Sequence, residues 1–145
     1  MSIETVNVLY TAHAKSEGGR NGTVLSGDGL VDVNLTVPKA MGGAGKPGAT
    51  TPEDLFAAGY AACFGGAVEF MGVKNGLKPS SVLVEPAVGI GTTDTGVGLK
   101  VDLTVTVGGL SQADAEKIVA LGHAFCPYSK AIKGNVEVGI TVKTA

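Results

Sequence analysis

Long apolar runs and blocks of a single charge sign are both missing from this sequence. The longest uncharged apolar run extends from Leu55 to Val68, which is shorter than the about 20 residues that a membrane-spanning helix needs. The 11 basic residues are balanced by 13 acidic residues, which excludes a broad nucleic-acid-binding surface. The opening residues contain no basic stretch followed by an apolar run, so we expect no secretory signal. These absences predict a cytoplasmic protein with no membrane span and no nucleic-acid partner.

Cysteine, histidine and arginine are scarce. The chain has two cysteines, Cys63 and Cys126, together with two histidines and one arginine. In a reducing cytosol, two cysteines favour a catalytic or redox pair over a structural disulfide, and the alternative is a pair of buried, unreactive thiols. His123 and Cys126 have the spacing of two zinc ligands, but the other candidate ligands are scattered along the chain, which argues against a metal site. We therefore expect no bound metal or cofactor.

Glycine and apolar residues are abundant instead. The 145 residues include 23 glycines, and 44% of the chain is hydrophobic against 17% charged. The length predicts one domain covering residues 1–145. The glycines have no three-residue period, which excludes a collagen-like repeat. The apolar composition is typical of small domains that bury surface in an oligomer.

Alternating and helical patterns predict an α+β fold. Several stretches rich in β-branched residues alternate apolar and polar side chains, as half-buried strands do. The hairpin turns between them favour antiparallel or mixed sheets packed against helices. Capping residues mark the starts of two helices, at Thr51 and at Ser111, and Pro127 interrupts the second helix. The predicted strands cover residues 5–14, 23–27, 31–37, 81–92, 97–107 and 136–142, and the predicted helices cover 51–74 and 111–124, with a short third helix from Pro127.

The first predicted helix is unusual because it is apolar on all sides from Leu55 to Val68. Such a helix is expected to be buried all round, which makes it the long central helix of the fold. Its mid-helix glycines each cost up to about 1 kcal/mol relative to alanine, so we expect them to let another backbone approach closely. We expect that backbone to belong to a second copy of the chain in a homodimer.

Cys63 lies in the middle of this helix among aromatic residues. Phe56, Cys63 and Phe70 are spaced by seven and share one face, which Tyr60 and Phe64 flank. Two interpretations stand: an aromatic core with a buried thiol, or an apolar pocket around a reactive thiol. Reactivity requires the thiolate, which apolar burial disfavours, and the positive end of the helix dipole is too distant to help.

A fixed cation is therefore needed, and Arg20 is the only arginine. It lies on a glycine-rich turn, where it is either a solvated turn residue or a guanidinium that stabilises the Cys63 thiolate. Glu53 either orients Arg20 in a bidentate pair or complements the helix dipole. Because Glu53 and Cys63 are about 15 Å apart along the helix, a site that contains both requires a second subunit or Arg20 as a bridge.

Three segments carry a distinctive combination of residues. They are Gly-Gly-Arg-Asn-Gly at 18–22, Thr-Pro-Glu-Asp-Leu-Phe-Ala-Ala-Gly-Tyr-Ala-Ala-Cys-Phe at 51–64, and His-Ala-Phe-Cys-Pro-Tyr-Ser at 123–129. In this order they resemble the organic hydroperoxide resistance (Ohr) proteins of the Ohr/OsmC family, and the resemblance covers nearly the whole chain. It implies an intertwined homodimer with the active site at the subunit interface, and peroxidase activity on organic hydroperoxides.

The resemblance also implies a role for each candidate residue. Cys63 would be the peroxidatic cysteine, which becomes a sulfenic acid, and Cys126 would be the resolving cysteine, which closes an intrachain disulfide with it. Arg20 and Glu53 would be the activating pair. The implied reductant is a dihydrolipoyl group on a lipoylated protein, with no cofactor bound to the chain itself.

The aromatic residues near the two cysteines predict the substrate class. Burying each CH₂ group of a substrate contributes up to about 0.8 kcal/mol, so we expect a hydroperoxide with an apolar tail to react well and hydrogen peroxide to react poorly. The alternatives are a protein that binds an apolar ligand, with incidental thiols, and a thiol redox sensor without peroxidase turnover. The candidate substrate-binding residues are Phe56, Tyr60, Phe64, Phe70, Phe125 and Tyr128.

Overall fold

A computed structural model describes residues 3–145 of the chain. Seven β-strands and three α-helices lie within this range, which divides into two compact units, one ending at Pro52 and one beginning at Glu53. The order of elements matches the predicted order apart from an added two-residue strand before the first helix. The predicted α+β architecture, with two sheets and a long helix, is confirmed.

The N-terminal unit is built on a four-stranded mixed sheet. Its strands are β1 (Ala14–Glu17), β2 (Thr23–Ser26), β3 (Asp32–Leu35) and β4 (Ala49–Thr50). The first three are antiparallel neighbours, and β4 pairs parallel to β3. The predicted strand over residues 5–14 is wrong for the single chain, since only Ala14 of that stretch is in a strand. Apolar side chains such as Leu9 are exposed there, and β-propensity forms no strand without a paired neighbour.

The predicted turn between the first two strands is a short 3-10 helix, Gly19–Asn21. Gly18 enters it with a φ of 82°, in the left-handed region that favours glycine. At Gly22, which ends the turn, a Cβ atom would lie 1.7 Å from the carbonyl oxygen of Glu17. The two glycines are therefore required by the path of the backbone, and the turn presents Arg20 between them.

The C-terminal unit combines three helices with a three-stranded sheet. Its elements are α1 (Pro52–Lys74), β5 (Ser81–Thr93), β6 (Gly96–Gly108), α2 (Gln112–Phe125), α3 (Pro127–Ile132) and β7 (Glu137–Thr144). β5 pairs antiparallel with β6, and β7 pairs parallel with β6 on its other side. A parallel pair needs a long crossover connection, and α2 and α3 supply it.

The core of this unit lies between β6 and the helices. Alternate residues of β6 are buried, as the predicted strand pattern requires. α1 and α2 contribute the facing side chains of a single apolar cluster. The fully or nearly fully buried members are Val101, Leu103, Val105 and Val107 from β6, Tyr60, Phe64, Ala67 and Val68 from α1, Ala115, Ile118 and Val119 from α2, and Cys126 directly after α2.

Helix boundaries follow the predicted capping residues. α1 ends at Lys74, and Gly76 follows with a φ of 72°, as expected for a glycine after a helix C-terminus. The Ser111 hydroxyl accepts a hydrogen bond of 3.2 Å from the Asp114 backbone N–H at the start of α2. Pro127 begins α3 after the break at Cys126. These three local predictions are confirmed.

The expectation that α1 is buried all round is wrong for the single chain. Ala58, Ala62, Gly66 and Phe70, which follow one another at intervals of four, are exposed. The physical reason is that one sheet and α2 cover only one side of a helix, whatever the polarity of the other side. By length and by a mean hydropathy of 1.3, α1 could also span a membrane. Core helices of soluble proteins meet the same two criteria, and α1 places five residues in the buried set.

Candidate active site

The two cysteines lie together although 63 positions separate them in the sequence. No disulfide joins them, and the Cys126 thiol faces the Cys63 sulfur at 3.6 Å. Cys63 is partly exposed, whereas Cys126 is fully buried. A disulfide needs its sulfurs at about 2.05 Å, so an approach of roughly 1.5 Å would join the pair. The two thiols are therefore placed for direct sulfur–sulfur bond formation.

Cys126 occupies the elbow between α2 and α3. Because Pro127 follows it, Cys126 avoids the helical conformation and adopts a φ of −59° and a ψ of 121°. Its N–H donates to the Gly122 carbonyl at 2.7 Å, and its carbonyl accepts from the Lys130 N–H at 2.9 Å. The backbone of the buried cysteine is thus held from both helices, while Cys63 is held in the middle of α1.

The surroundings of Cys63 favour the neutral thiol. Burial raises the pKa of Cys63 above its ordinary value, and the neighbouring Cys126 raises it further. The backbone N–H of Tyr128 opposes both, because it stabilises the thiolate by a hydrogen bond. A thiol must lose its proton to act as a nucleophile, so a reactive Cys63 at neutral pH needs an additional positive charge.

The two predicted activating residues lie on separate elements. Arg20 is on the turn Gly19–Asn21 of the N-terminal unit, and Glu53 is in the first turn of α1. Both side chains are partly buried. Since α1 runs without a break from Pro52 to Lys74, the predicted separation of Glu53 from Cys63, about 15 Å along the axis, applies to this chain.

Four of the six predicted substrate-binding residues form a continuous run of ring contacts. Phe56 meets Tyr60 edge-on at a centroid separation of 5.8 Å, and Tyr60 lies 6.1 Å from both Phe64 and Tyr128. Tyr60 and Phe64 are fully buried in the single chain, so their rings contribute to the core. Tyr128 is 43% exposed and packs on Gly59, where a Cβ atom would lie 3.3 Å from its ring.

Phe70 and Phe125 form a separate aromatic pair. Their rings stack at 5.0 Å with an interplanar angle of 19°. Both are about half exposed in the single chain, at 52% and 47%. This pair gives the unit an accessible apolar surface at the end of α2, next to Cys126 in the sequence.

A buried polar network that the sequence analysis did not single out lies beside the cysteines. The Ser129 hydroxyl is 2.5 Å from the Tyr60 hydroxyl and 2.9 Å from Nδ1 of His123. Ser129 itself is 3% exposed. The only sequence signal was position: Ser129 follows Cys126 by three residues and His123 precedes it by three.

The protonation states in this network follow from burial. Burial raises the pKa of Tyr60, which keeps its hydroxyl protonated. Burial, and secondarily the positive charge of Lys133, lower the pKa of His123, which favours the neutral ring. Nδ1 of a neutral ring can either donate to or accept from the Ser129 hydroxyl, which lies 2.9 Å away. Among residues 3–145, no group of three or more His, Cys, Asp and Glu side chains is arranged to hold a metal ion.

Comparison with known proteins identifies relatives over nearly the whole chain. Residues 43–141 match the family model described as OsmC-like protein. The organic hydroperoxide resistance protein of Xanthomonas axonopodis pv. citri is 46% identical over 136 residues, which cover 93% of this chain and 95% of that protein. The organic hydroperoxide resistance protein OhrB of Bacillus subtilis is 40% identical over 137 residues, covering 93% of this chain and 98% of that protein.

A similar solved structure shares the fold. The crystal structure of an organic hydroperoxide resistance protein OsmC from Legionella pneumophila superimposes with a TM-score of 0.88 at 43% identity. The match covers 94% of this chain and 99% of that chain. The resemblance predicted from the three sequence segments is therefore confirmed for the family and for the fold.

Proposed function

We propose that this chain, which belongs to the OsmC-like protein family, is a thiol-dependent peroxidase that reduces organic hydroperoxides to alcohols. Relatives named organic hydroperoxide resistance proteins support a role in defence against organic peroxides. The observation that carries the proposal is the contact between the Cys63 and Cys126 sulfurs at 3.6 Å. A partly exposed thiol can meet a substrate, and a buried thiol in contact with it can resolve the oxidised product.

The proposed chemistry has three steps. The Cys63 thiolate attacks the terminal oxygen of the hydroperoxide, the O–O bond breaks, and the alkoxide leaves and takes up a proton to become the alcohol. Cys63 is then a sulfenic acid. The sulfur of Cys126 attacks the Cys63 sulfur and expels hydroxide, which leaves as water with the proton lost by Cys126. An external dithiol, for which we propose a dihydrolipoyl group on a lipoylated protein, returns two electrons and two protons.

Activation of Cys63 is assigned to Arg20 and Glu53. A guanidinium keeps its charge at all physiological pH values, so it can offset the burial that raises the pKa of Cys63. A carboxylate can orient a guanidinium through two parallel hydrogen bonds, which is the role proposed for Glu53. The distance between Glu53 and Cys63 along α1 supports an arrangement in which two subunits share each site.

We propose that the chain acts as a homodimer in the cytoplasm. The exposed side of α1 is apolar and built largely from small residues, which lets a second backbone approach closely. Large apolar side chains such as Leu9 and Val73 are also exposed in the single chain. Exposed apolar surface of this kind marks a protein–protein contact, and a second copy would cover it.

The proposed substrate is a hydroperoxide with an apolar tail. The residues around Cys63 are aromatic and aliphatic, and the accessible pair of Phe70 and Phe125 offers further apolar surface. Hydrogen peroxide can use none of this surface. We therefore expect the rate difference between the two substrates to come from contacts with the tail.

The test is the loss of thiols after one equivalent of cumene hydroperoxide. Wild type should lose two thiols rapidly, Cys63→Ser should lose none, and Cys126→Ser should stop at a sulfenic acid that dimedone traps. A wild-type rate equal to that of free cysteine would overturn the peroxidase proposal and leave binding of an apolar ligand to be tested. Rapid oxidation without turnover by any dithiol, dihydrolipoamide included, would instead support a redox sensor.

A further inference from the structure

Ser129 carries a buried hydroxyl that connects all three helices around the cysteine pair. It belongs to α3, and its Oγ is within hydrogen-bond distance of Tyr60 on α1 and of His123 on α2. Among residues 3–145, no buried side-chain oxygen or nitrogen lacks a hydrogen-bond partner. Removing the Ser129 hydroxyl would leave Tyr60 and His123 without this partner, whereas removing the Tyr60 hydroxyl would leave Ser129 bonded to His123 alone.

Each residue of the network lies three positions from one of the two cysteines in the sequence. Tyr60 precedes Cys63 by three residues, His123 precedes Cys126 by three, and Ser129 follows Cys126 by three. The bond between His123 and Ser129 spans the elbow that contains Cys126. The bond between Tyr60 and Ser129 ties that elbow to α1, one turn away from Cys63.

We propose that Ser129 and Tyr60 are positioning residues for the step in which Cys126 attacks Cys63. Their hydrogen bond holds the Cys126 elbow against α1 and keeps the two sulfurs in contact. Neither hydroxyl is hydrogen-bonded to a sulfur, so both act through the position of Cys126. The proposal rests on the peroxidase function for its use in the cell, but the geometry can be tested without a peroxide.

Tyr60 and Ser129 each carry a hydroxyl proton, and Nδ1 of a neutral histidine can donate or accept according to the tautomer, so both contacts of Ser129 can be hydrogen bonds in either direction. Removing either hydroxyl removes the hydrogen bond between α1 and the elbow, while the apolar core and the packing of Tyr128 on α1 stay in place. A displacement of about 1 Å at a reacting pair can slow a reaction by as much as about 100-fold, and we expect roughly a tenfold effect from the partial release of one elbow.

Ellman's reagent tests the proposal directly. The Cys63 thiolate attacks the disulfide of the reagent and releases one thionitrobenzoate, leaving a mixed disulfide on Cys63. Cys126 then attacks the Cys63 sulfur, which forms the intrachain disulfide and releases the second thionitrobenzoate. The ratio of the second rate to the first isolates the positioning of Cys126, because general loosening of the fold changes both rates.

Ser129→Ala and Tyr60→Phe should each lower this ratio about tenfold. Ser16→Ala and Tyr10→Phe, which remove the same hydroxyls at exposed positions, should keep the wild-type ratio. Circular dichroism verifies folding, and Tyr60→Phe carries the test alone if Ser129→Ala does not fold. A wild-type ratio in a folded Ser129→Ala or Tyr60→Phe protein would overturn the proposal.

The same proteins separate this inference from the proposed function. If wild type gives two phases with Ellman's reagent but does not react with cumene hydroperoxide, the peroxidase function fails and the positioning role stands. If cumene hydroperoxide oxidises wild type and the ratio is unchanged in either folded variant, the function stands and the positioning role fails. If both proposals are correct, the Cys63 sulfenic acid formed in the Ser129→Ala protein should persist longer than the one formed in wild type, as measured by dimedone trapping.

Discussion

Gly122 lets α2 approach α1 closely beside the cysteine pair, and its replacement by alanine is the sharpest test of that packing. A Cβ atom on Gly122 would lie 2.6 Å from Val68 Cγ2 and 2.9 Å from Val68 Cα. Gly122 lies about one turn before Cys126, and Val68 little more than one turn after Cys63. Gly122→Ala should therefore push the two cysteine-bearing helices apart.

The magnitude follows from the backbone contact. A side chain can rotate away, but Val68 Cα can move only with α1, and ordinary Cβ contacts begin at 3.4 Å. The helices must therefore separate by about 0.5 Å, and overpacking of this kind costs about 1–3 kcal/mol. Alanine in a helix recovers up to about 1 kcal/mol relative to glycine. With the full offset, the net loss in the free energy of unfolding is at most about 2 kcal/mol.

Urea unfolding of the reduced protein measures this loss. The matched control is Gly65→Ala on α1, where a Cβ atom would meet only Val84 Cγ2, at an ordinary 3.5 Å. That variant should gain up to about 1 kcal/mol. All proteins must be compared at one concentration, because association changes apparent stability. A Gly122→Ala protein as stable as Gly65→Ala would refute the close helix contact.

The remaining predictions concern pH, activation and substrate. Burial lowers the pKa of His123 in the folded protein below its ordinary value of 6.5. As the pH falls through 6.5, His123 is therefore protonated in the unfolded chain before it is protonated in the folded protein, and the free energy of unfolding should decrease. Urea midpoints at several pH values should show this decrease in wild type and in His13→Asn, which changes an exposed residue, and a smaller one in His123→Asn. Arg20→Met should move the midpoint of Cys63 alkylation by iodoacetamide to higher pH, whereas Lys15→Met on β1 should not. An unchanged midpoint in Arg20→Met excludes Arg20 as the activating cation. Finally, wild type should react faster with cumene hydroperoxide than with hydrogen peroxide, and equal rates in stopped-flow measurements would contradict an apolar substrate site.

Local features of the fold were predictable from local sterics. The end of α1 near Gly76, the break at Pro127 and the alternation along β6 each depend on residues that are neighbours in the sequence. The predicted strand over residues 5–14 failed because strand formation depends on a partner that those residues do not specify. The prediction that α1 is buried on all sides was wrong for the single chain for a related reason. Apolar residues indicate that a helix surface is favourable to bury, but they do not specify which other part of the protein covers it.

The candidate site was likewise predictable only in part. The type and spacing of residues around Cys63 and Cys126 were sufficient to recognise the family and to name both thiols. Ser129 was missed because a serine hydroxyl can bond to many groups, and its partners here come from two other helices. By residue type alone Cys126 could be reactive or inert, and the resolving role came from the family resemblance; its burial and its contact with the Cys63 sulfur are what the structure adds.

Residue patterns in the chain were enough to predict the secondary structure around each cysteine and the family of the protein, because capping, proline sterics and short motifs act over a few positions. The contact of the two sulfurs at 3.6 Å and the hydrogen bonds that join Tyr60, Ser129 and His123 depend on how distant parts of the chain pack together. Those contacts link residues far apart in the chain, and they exist because three helices pack on one sheet with a glycine at their crossing. Close packing leaves such helices few alternative positions, which is why the geometry is specific although no single residue encodes it.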